Sequence, residues 1–501
     1  MNLTPAERQI GRENYQNAVG VTRRDLLKAA MVAPAAGAFY FGYQHVDGNP
    51  VRAGLIGAGE QGRLLLSESN PNFVQFIAYS DVRPSQIAAA RLGDEAGQPR
   101  IGFLRKYDMN EERFQREINF YEDYHKLLEN PDIELVVIAL PLHLHHQAVA
   151  EALLAGKHVL CETLMAKDVR QCKEMARQAR ETGLHLAVGH QRHYSLAYDN
   201  VVSLLTSDLL GDIHHVRAWW HRNEGWPRTP GDPWTDSWHR PVPEEDWDVD
   251  FSQLGYESRD ELCRWRLFHR TSGGLMAELG THQLDACGLI IGGAPPLAVS
   301  GVGKRVSMAD DREVDDHVIA TIEYPGKQHP RRGVESGHED DILIVSYSAI
   351  STNATDRYGE QIMGTRGTLL IEAERDVMLF RESSPEYSAP PRQTSITVIG
   401  AGTDHPVLEA SESVTGPTSG AGWAQQAVVG QTSRGFGEQL EHLAWCIRNP
   451  APEHQPRCGP VEGLANAVVT LTTNLALRRR ERIEFKPEWF DPESEEVPDD
   501  Q

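Results

Sequence analysis

Cysteine is scarce in this chain, which has six in 501 residues and no C-x-x-C pair. That density is far too low for a small fold held together by disulfides. We therefore expect the cysteines to be buried thiols.

Positive charge is also in short supply. Lysine and arginine together number 49 against 72 aspartates and glutamates, which gives a formal net charge of −23 at pH 7. Because the acidic residues are spread along the chain, they argue against nucleic acids and anionic membranes as the main partners. An acidic surface suits a neutral substrate such as a sugar, although any soluble acidic protein shares it.

No apolar run is long enough for a stable membrane span. The best candidate extends from Ala29 to about Tyr43 and is rich in alanine. It follows Thr22-Arg23-Arg24-Asp25-Leu26-Leu27-Lys28, a close match to the twin-arginine pattern, and contains a candidate cleavage site at Ala36-Gly37-Ala38. We predict that residues 1–48 are a signal segment and linker, and that the twin-arginine export machinery delivers the folded protein to the periplasm. Whether the segment is cleaved stays open.

The length and the hydrophobic content of 40% allow more than one domain. A short apolar strand at 51–56 precedes Gly57-Ala58-Gly59-Glu60-Gln61-Gly62, and a helix follows. G-x-G-x-x-G between a strand and a helix predicts a dinucleotide site, because its glycines permit the tight turn, the approach of a pyrophosphate and close helix packing. The helix N-terminus attracts the phosphates. The predicted cofactor contacts here are Gly57, Gly59, Glu60, Gln61 and Gly62.

An acidic residue follows at the expected distance. The second predicted strand, at 73–80, leads into Asp81, which lies 19 residues after Gly62. The acid that binds the ribose hydroxyls is expected about 20 residues after the glycines, so Asp81 favours NAD. Arg83 is a candidate for holding a 2′-phosphate, and NADP therefore stays open.

Strands and helices continue to alternate. Helices are predicted at 121–129, 146–155 and 168–182, and strands at 135–140, 158–161 and 185–189. The all-apolar run at 135–140 is typical of a parallel strand that is covered on both faces. These elements predict an α/β fold that begins with a Rossmann dinucleotide-binding domain over residues 49–190.

Four motifs occur in an order that resembles a known family. They are Pro141-Leu142-His143-Leu144-His145, Gly156-Lys157-His158-Val159-Leu160-Cys161-Glu162, Gly189-His190-Gln191-Arg192-His193-Tyr194, and Trp265-Arg266 followed by Ser272-Gly273-Gly274-Leu275-Met276-Ala277-Glu278-Leu279-Gly280-Thr281-His282-Gln283-Leu284-Asp285. From about residue 50 onwards the chain resembles the glucose–fructose oxidoreductase/inositol dehydrogenase (Gfo/Idh/MocA) family.

The resemblance implies both an architecture and a chemistry. It implies a C-terminal α/β domain, at 191–486, with a large, mainly antiparallel open sheet that relatives often use to form homo-oligomers. It also implies a sugar, inositol or related polyol as substrate, with a hydride passing to or from a nicotinamide. Cofactor contacts are implied at Pro141, His145, Glu162 and Gln191. Substrate contacts are implied at Arg192, Tyr194, Trp265, Arg266 and Asp285, of which Asp285 is also a candidate structural residue.

One position departs from the family pattern. The family usually has Glu-Lys-Pro where this chain has Glu162-Thr163-Leu164, and that lysine commonly serves in proton transfer. Removal of a hydride from a secondary alcohol requires a base for the hydroxyl proton, and a threonine cannot act as one at ordinary pH. Either another residue supplies the base or the chemistry has changed. Lys167 is one candidate.

A carboxylate and a histidine supply a second acid–base candidate. Glu278 and His282 stand at i and i+4, so they share one face of a helix. In family terms Glu278 replaces the usual aspartate, and His282 matches the usual histidine. We expect His282 to accept or donate the proton, because a histidine held by a carboxylate is a natural general base, and Glu278 to orient it or to bind a sugar hydroxyl. A purely structural helix pair is the alternative.

No metal site is expected. His143, His145 and His146 have no nearby carboxylate or cysteine at metal-ligand spacing. Seven tryptophans occur between Trp219 and Trp265, and such rings either stack on sugars or fill the core. Further strands are predicted at 299–302, 318–324, 342–348, 367–371 and 377–380, and helices at 437–447 and 460–478. Residues 383–435 are expected to form a surface excursion, and 487–501 an acidic tail that is mobile from residue 491.

Two other functions stay open beside an exported NAD(P)-dependent sugar or polyol dehydrogenase. An NAD-dependent glycoside hydrolase or lyase would oxidise the sugar transiently, cleave it by elimination and return the hydride. The absent lysine and the export signal favour it, because a periplasmic enzyme cannot readily draw on cytoplasmic NAD and needs a tightly held cofactor. A cofactor-binding protein without catalysis is the third candidate, and the retention of His282 counts against it. NAD is favoured over NADP, and the sugar is not identified.

Overall fold

The computed structural model describes residues 3–19, 49–94, 100–207, 209–223, 238–306, 308, 311–382, 394–399, 407–412 and 434–498. Residues 20–48 of the predicted signal segment, which include the twin-arginine pattern and the apolar run, lie outside these residues, as do Trp226, Trp234 and most of the excursion at 383–435. Residues 3–19 of the same predicted segment are described and contain a helix.

The helices and strands are numbered in chain order. The helices are α1 (Pro5–Val19), α2 (Glu60–Glu68), α3 (Pro84–Leu92), α4 (Phe103–Lys106), α5 (Glu111–Glu117), α6 (Tyr124–Leu128), α7 (His145–Leu154), α8 (Val169–Thr182), α9 (Leu196–Thr206), α10 (Arg259–Cys263), α11 (Thr281–Ile291), α12 (Phe436–Arg448) and α13 (Pro460–Arg479). The strands are β1 (Val51–Ile56), β2 (Val74–Ser80), β3 (Asn119–Tyr121), β4 (Leu135–Ile138), β5 (His158–Cys161), β6 (Leu186–Val188), β7 (Ile213–His221), β8 (Ala298–Lys304), β9 (His317–Pro325), β10 (Ile342–Ile350), β11 (Tyr358–Gly364), β12 (Gly367–Glu372), β13 (Asp376–Arg381), β14 (Thr394–Ile399), β15 (Val407–Glu412) and β16 (Ile483–Glu484).

The first sheet is a parallel sheet with helices on its faces. Its strand order is β3-β2-β1-β4-β5-β6, and every pairing is parallel. All four residues of β4 are buried, as its apolar sequence predicts. The chain changes direction across the sheet between β1 and β4, and in such sheets ligands bind outside the carboxyl ends of the strands at this point. The predicted Rossmann domain is confirmed.

One predicted helix begins later than expected. Residues 119–121 form the edge strand β3, which pairs with the end of β2, and α6 begins only at Tyr124. The Asp123 side chain accepts a hydrogen bond from the His125 backbone N–H at 2.9 Å and so fixes the helix start. The helix predicted from residue 121 was therefore wrong in its first three residues.

The second sheet is mixed and mainly antiparallel. Its order is β13-β12-β11-β7-β10-β9-β8-β16, and only the β7–β10 pairing is parallel. Buried and exposed residues alternate along β9 and β10, because one sheet face packs on α11 and α13. On the opposite face, α1 lies against β13. This architecture confirms the predicted fold class, although β11 had no sequence prediction.

Helix α12 returns from the C-terminal part of the chain to the first domain. Its buried Phe436, Leu440 and Leu443 join the apolar cluster of β1, β2 and α2. The sequence prediction places this helix in the second domain, because it divides the chain into consecutive segments. The order of residues does not show that a later helix completes an earlier sheet.

The predicted mobile tail is held in place as far as residue 498. The Lys173 ammonium group is almost fully buried, and it donates hydrogen bonds to the backbone carbonyls of Glu488, Ser494 and Glu496 at 2.8, 2.9 and 2.7 Å. A buried ammonium group requires such acceptors, and here the tail supplies them.

The six cysteines are free thiols. None of the six cysteines forms a disulfide, and all except the partly exposed Cys263 are buried, as expected. Among the described residues, no helix combines the length and the apolar character that a membrane crossing requires.

Candidate active site

The glycine loop between β1 and α2 has the geometry of a phosphate cradle. Gly57 has a φ of +89°, and a Cβ there would lie 2.4 Å from the Ala139 carbonyl oxygen. A Cβ on Gly62 would lie 2.1 Å from the Gly57 carbonyl oxygen, so both positions require glycine. A Cβ on Gly59 would meet nothing within 4 Å. Gly59 therefore borders open space at the N-terminus of α2, where a pyrophosphate can approach the backbone.

Asp81 lies against this loop. Its two carboxylate oxygens accept hydrogen bonds from the backbone N–H groups of Ala58 at 2.7 Å and Arg83 at 2.9 Å. Burial raises the pKa of Asp81, while these two hydrogen bonds lower it. This position beside the glycine loop is the one that the ribose-binding role requires.

Arg83 is engaged within the protein. Its guanidinium Nε and Nη2 atoms lie 2.9 and 2.7 Å from Oδ2 of Asp246, a fully buried residue of the second domain. The structure thus gives the predicted 2′-phosphate ligand a carboxylate partner.

A cavity of about 580 Å³ extends from the glycine loop to the second domain. Eight of its lining residues belong to residues 238–266, which we call the covering segment. Arg240 of this segment pairs with Glu60 of the glycine loop, and Arg100 lies 3.3 Å from the same carboxylate. The cleft is therefore bounded by both domains, as is common for sites that bind a cofactor and a substrate together.

Glu162 and Gln61 meet on the cleft floor. Gln61 Nε2 donates to Glu162 Oε1 at 2.9 Å, and the Thr163 backbone N–H donates to Glu162 Oε2 at 3.3 Å. Burial raises the pKa of Glu162 to about 7. Gln61, Glu162 and Gln191 all line the cavity, so the structure brings these predicted residues together, and Thr163 lies beside them.

Two residues of the loop after β4 lie outside the cavity lining. The imidazole of His145 is almost fully buried, with its nitrogens 2.8 and 2.9 Å from the carbonyl oxygens of Leu164 and Leu140. It thereby ties the loop after β4 to the loop after β5. Pro141 precedes the turn that leads into α7. Both residues shape the loop and leave the cavity wall to their neighbours Ala139 and Leu140.

Lys167 belongs to a different cavity. Its ammonium group donates to the Arg270 carbonyl oxygen at 2.8 Å. It lines a cavity of about 810 Å³, together with Gly273 and Asn474, that contains none of the glycine-loop residues. The suggestion that Lys167 replaces the family lysine is therefore not supported by its position.

Glu278 pairs with Arg266 and not with His282. Residues Met276–Gly280 form a single π-helical turn before α11, a feature that recurs at functional sites. The wider turn changes the relative direction of Glu278 and His282 from that of an α-helix. The Glu278 carboxylate accepts hydrogen bonds from Arg266 Nε at 2.9 Å and Ser272 Oγ at 3.3 Å. Burial raises its pKa, and the Arg266 charge opposes that shift.

Aromatic rings border this part of the cleft. The Arg266 guanidinium lies 4.2 Å from the centre of the Trp265 ring, and both residues line the cavity. The Trp220 ring centre lies 5.9 Å from that of His282 and 4.6 Å from that of Tyr358, with which it stacks. Trp220 and Trp238 also line the cavity, so three of the described tryptophans border the space in which a sugar ring could stack.

His282 lines the cleft and is neutral. Burial, with the nearby charge of Arg192 and the ring of His190, lowers the pKa of His282 to about 3. Its Nδ1 has no hydrogen-bond partner among the residues that the structure describes. Arg192 Nη1 donates to the backbone carbonyl oxygen of His282 at 2.7 Å and so fixes the backbone at this position.

A group of buried polar side chains lies behind His282. The His193 Nε2 atom is 3.0 Å from Asp285 Oδ1, and the ring centre of His190 is 6.4 Å from that of His282. Both ring nitrogens of His190 and the Asp285 Oδ2 atom have no hydrogen-bond partner within the described parts of the chain. Burial raises the pKa of Asp285, but His190 and His193 outweigh it and lower that pKa to about 2. Asp285 therefore lies behind the cleft and supports its wall.

Arg192 is the centre of an ion network in the interior. Its guanidinium lies 2.7 Å from Glu360 Oε1 and 2.9 Å from Glu374 Oε1, and all three side chains are essentially fully buried. Arg434 pairs with the second oxygen of Glu374 at 2.7 Å. Tyr194 is also buried, and its hydroxyl accepts a hydrogen bond from the Cys458 backbone N–H at 3.1 Å. The predicted substrate ligands Arg192 and Tyr194 therefore lie within the protein, where they position the residues of the cleft.

Sequence reasoning missed several residues around this site. Asp246, Glu360, Glu374 and Arg434 reach it from segments outside the four family motifs. A single sequence does not identify them as site residues, because it does not distinguish a buried acidic residue or arginine from the many exposed ones.

The site fits a dinucleotide. The open space at Gly59, the N-terminus of α2 and the Asp81 carboxylate provide the three elements that such a cofactor requires. In the described residues, no group of three or more histidine, cysteine, aspartate or glutamate side chains is arranged to hold a metal.

Two family models match the chain. The "Oxidoreductase family, NAD-binding Rossmann fold" of Gfo/Idh/MocA matches residues 51–190, and the "Oxidoreductase family, C-terminal alpha/beta domain" matches residues 248–466. Together they account for more than half of the chain.

Several curated relatives of low sequence identity are named as dehydrogenases. The chain is 26% identical to trans-1,2-dihydrobenzene-1,2-diol dehydrogenase of Bos taurus over 56% of this chain and 66% of the relative. It is 29% identical to the Oryctolagus cuniculus protein of the same name over 42% of this chain and 51% of the relative. The chain thus spans between half and about two thirds of these relatives' lengths.

Solved structures share the fold over most of the chain. A levoglucosan dehydrogenase in complex with NADH and levoglucosan has a TM-score of 0.54 and 17% identity, covering 87% of this chain and 99% of its own. The aldose–aldose oxidoreductase of Caulobacter crescentus, complexed with glycerol, has a TM-score of 0.53 and 18% identity, covering 87% and 100%. At these identities the likeness establishes the fold.

Proposed function

This chain belongs to the Gfo/Idh/MocA oxidoreductase family, and on that premise we propose that it transfers a hydride between NAD and a secondary hydroxyl carbon of a sugar or related polyol. The observation that carries the proposal is the position of His282. It lines the same cleft as Gly59 and Trp220, so the cofactor cradle, a proton acceptor and an aromatic face converge.

The residues of the cleft divide the chemistry between them. Bound NAD supplies the hydride acceptor. The imidazole of His282 is uncharged at neutral pH, so its free nitrogen lone pair can accept the hydroxyl proton as the carbonyl forms. Burial lowers the pKa of His282 to about 3, so bound substrate has to raise that pKa for the imidazole to hold the proton. Glu278, held by Arg266 and Ser272, accepts a hydrogen bond from a neighbouring sugar hydroxyl. Thr163 lines the cleft at the position of the family lysine and takes no proton.

The substrate class rests on the aromatic rings and on the relatives. Trp220, Trp238 and Trp265 line the cleft, and tryptophan faces suit the apolar faces of sugar rings. The levoglucosan complex of one structural neighbour and the diol dehydrogenase names of the curated relatives point to the same type of CH–OH group.

The first experiment measures hydride transfer directly. Purified protein would be incubated with NAD and a panel of aldoses, anhydrosugars and inositols while the absorbance of reduced nicotinamide is recorded. We expect lasting reduction with at least one carbohydrate. In the His282→Ala variant the rate should fall by about 10²- to 10⁴-fold, the usual contribution of a general base.

The control is His214→Ala, which removes an exposed histidine on β7. It should leave the rate unchanged. Equal rates in the wild type and the His282→Ala variant would refute the assigned role of His282. Binding of NADH without turnover of any carbohydrate would support the non-catalytic alternative instead.

A redox-neutral reaction is a second candidate. The covering segment ties the two domains together through the Arg240–Glu60 and Asp246–Arg83 pairs, which hinder exchange of a bound cofactor. The aldose–aldose oxidoreductase among the structural neighbours is named for a reaction between two sugars. If the protein retains NAD during purification and converts a sugar pair or an aryl glycoside without net reduction, this candidate, or the transient-oxidation glycosidase, replaces the simple dehydrogenase.

Export and assembly complete the proposal. The Arg23-Arg24 pattern and the apolar run after it support twin-arginine export to the periplasm, and an Arg23→Lys/Arg24→Lys variant should remain in the cytoplasmic fraction. Val302, Ile319 and Ile344 are exposed on one face of neighbouring strands, which supports a homo-oligomer formed through the second sheet. An Ile319→Glu variant should lower the molecular mass in sedimentation if this face is the interface.

A further inference from the structure

We propose that Asp246 occupies the position of the 2′-phosphate of NADP and thereby makes this protein select NAD. The inference rests on the proposed dinucleotide site. It concerns a residue of the second domain that neither the glycine motif nor the family motifs contain.

The start of α3 presents an anion-binding set of donors. Arg83 directly precedes this helix, and Ser85 offers both a backbone N–H and a hydroxyl in its first turn. A guanidinium, a hydroxyl and a free N–H at a helix N-terminus are the groups that proteins use to bind phosphates.

Asp246 takes all of these donors. Its Oδ2 accepts from Arg83 Nε at 2.9 Å, from Arg83 Nη2 at 2.7 Å and from Ser85 Oγ at 2.7 Å. Its Oδ1 accepts from the Ser85 backbone N–H at 2.9 Å. The carboxylate of Asp246 is thus bound in the way that a phosphate would be bound.

The position is the one that distinguishes the two cofactors. Asp81, the residue suited to the ribose hydroxyls, accepts a hydrogen bond from the Arg83 backbone N–H at 2.9 Å. The extra phosphate of NADP is esterified to the ribose 2′-hydroxyl, so it must lie next to the group that Asp81 binds. The donors that would receive it are the ones that Asp246 holds.

Because Asp246 is buried, a phosphate could replace its carboxylate only at a high cost in binding free energy. Asp246 has no exposed surface, and it belongs to the short turn Glu244–Asp246 of the covering segment. A phosphate would have to displace this carboxylate from its donors or lie beside it, and like charges at close range repel strongly. NAD lacks the phosphate and leaves the pair intact.

The test compares the binding of the two reduced cofactors to the full-length protein by fluorescence titration. The wild type should bind NADH more tightly than NADPH. In Asp246→Ser the carboxylate is removed and space is opened, so the affinity for NADPH should rise at least about tenfold relative to NADH, which is the scale of one charge-assisted hydrogen bond.

Two further variants keep the test decisive. Glu245→Ser removes an exposed acid from the same turn and controls for a general loss of negative charge, so it should leave the cofactor ratio unchanged. Asp246→Asn preserves the size of the side chain and serves if the serine variant does not fold; it should shift the ratio in the same direction by a smaller factor.

The results separate this inference from the proposed function. An unchanged NADPH-to-NADH ratio in a folded Asp246→Ser or Asp246→Asn variant, or a wild type that prefers NADPH, would overturn the inference. A shifted ratio in a protein that oxidises no carbohydrate would uphold the inference while the proposed function fails.

Discussion

The two ends of the cleft treat their polar groups in opposite ways. At the Asp81 end, Arg83 and Ser85 are satisfied by Asp246 without any ligand. At the His282 end, His282 Nδ1, both nitrogens of His190 and Asp285 Oδ2 have no hydrogen-bond partner among the described residues, and His190 Nδ1 lies 3.8 Å from Asp285 Oδ2. Buried polar atoms are normally hydrogen-bonded, so the second end is incomplete by itself.

This difference corresponds to the two tasks proposed for the cleft, which are cofactor binding at the Asp81 end and proton transfer at the His282 end. The end proposed to bind the adenosine part of the cofactor is preorganised, because Arg83 and Ser85 are held in place by Asp246. The end proposed to move a proton has buried polar atoms without hydrogen bonds, which substrate or water would complete. Its rigidity then comes from the network behind it, centred on Arg192.

The largest expected effect comes from breaking that network. Replacement of Arg192 by methionine would leave Glu360 and Glu374 buried without their main partner, and the loss of one member of a buried ion pair costs about 3–5 kcal/mol. We expect the free energy of unfolding, measured by urea titration, to fall by that amount. Arg482→Met is the control, since both members of the Arg482–Glu323 pair are partly exposed and its loss should cost much less. Equal losses in the free energy of unfolding would show that the Arg192 network does not stabilise the His282 end of the cleft.

Two glycines of the same loop provide a smaller and sharper test. In Gly62→Ala, the new Cβ would lie 2.1 Å from the Gly57 carbonyl oxygen, so we expect a loss of about 1–3 kcal/mol in the free energy of unfolding. In Gly59→Ala, the new methyl group enters open space, so stability should be kept while the affinity for NADH falls about tenfold or more. Calorimetry measures the change in stability, and fluorescence titration measures the change in NADH affinity. Retained NADH affinity in Gly59→Ala would show that the pyrophosphate does not approach this residue.

The smallest expected effect, measured per pH unit, is a pH dependence of stability. Burial raises the pKa of Glu162 from its usual 4.5 to about 7, so between these values the folded protein holds a proton that the unfolded chain has lost. Stability contributed by the protonated form is therefore lost as the pH rises through this window, by about 1 kcal/mol per pH unit near its middle. Glu162→Gln should flatten that slope in unfolding titrations between about pH 5 and pH 7. An unchanged slope would place the titrating group elsewhere.

The sequence was sufficient for most strands of the first sheet and for part of the site. Apolar strands, the glycine spacing and Asp81 follow local rules, and the structure brings Gly59, Glu162, Gln191, Glu278 and His282 to one cleft. The partners of these residues were not predictable in the same way. The π-helical turn changes the direction of Glu278, and the Asp246–Arg83 pair joins residues 163 positions apart. Contacts of that kind depend on how two domains pack, and periodicity within one segment carries no information about it.

Helix α12 has a consequence for the order in which this protein is made. The apolar cluster of β1, β2 and α2 is covered in part by Phe436, Leu440 and Leu443, which leave the ribosome long after the glycine loop. The cofactor domain therefore cannot reach its final packing during early synthesis and must wait for the C-terminal part of the chain.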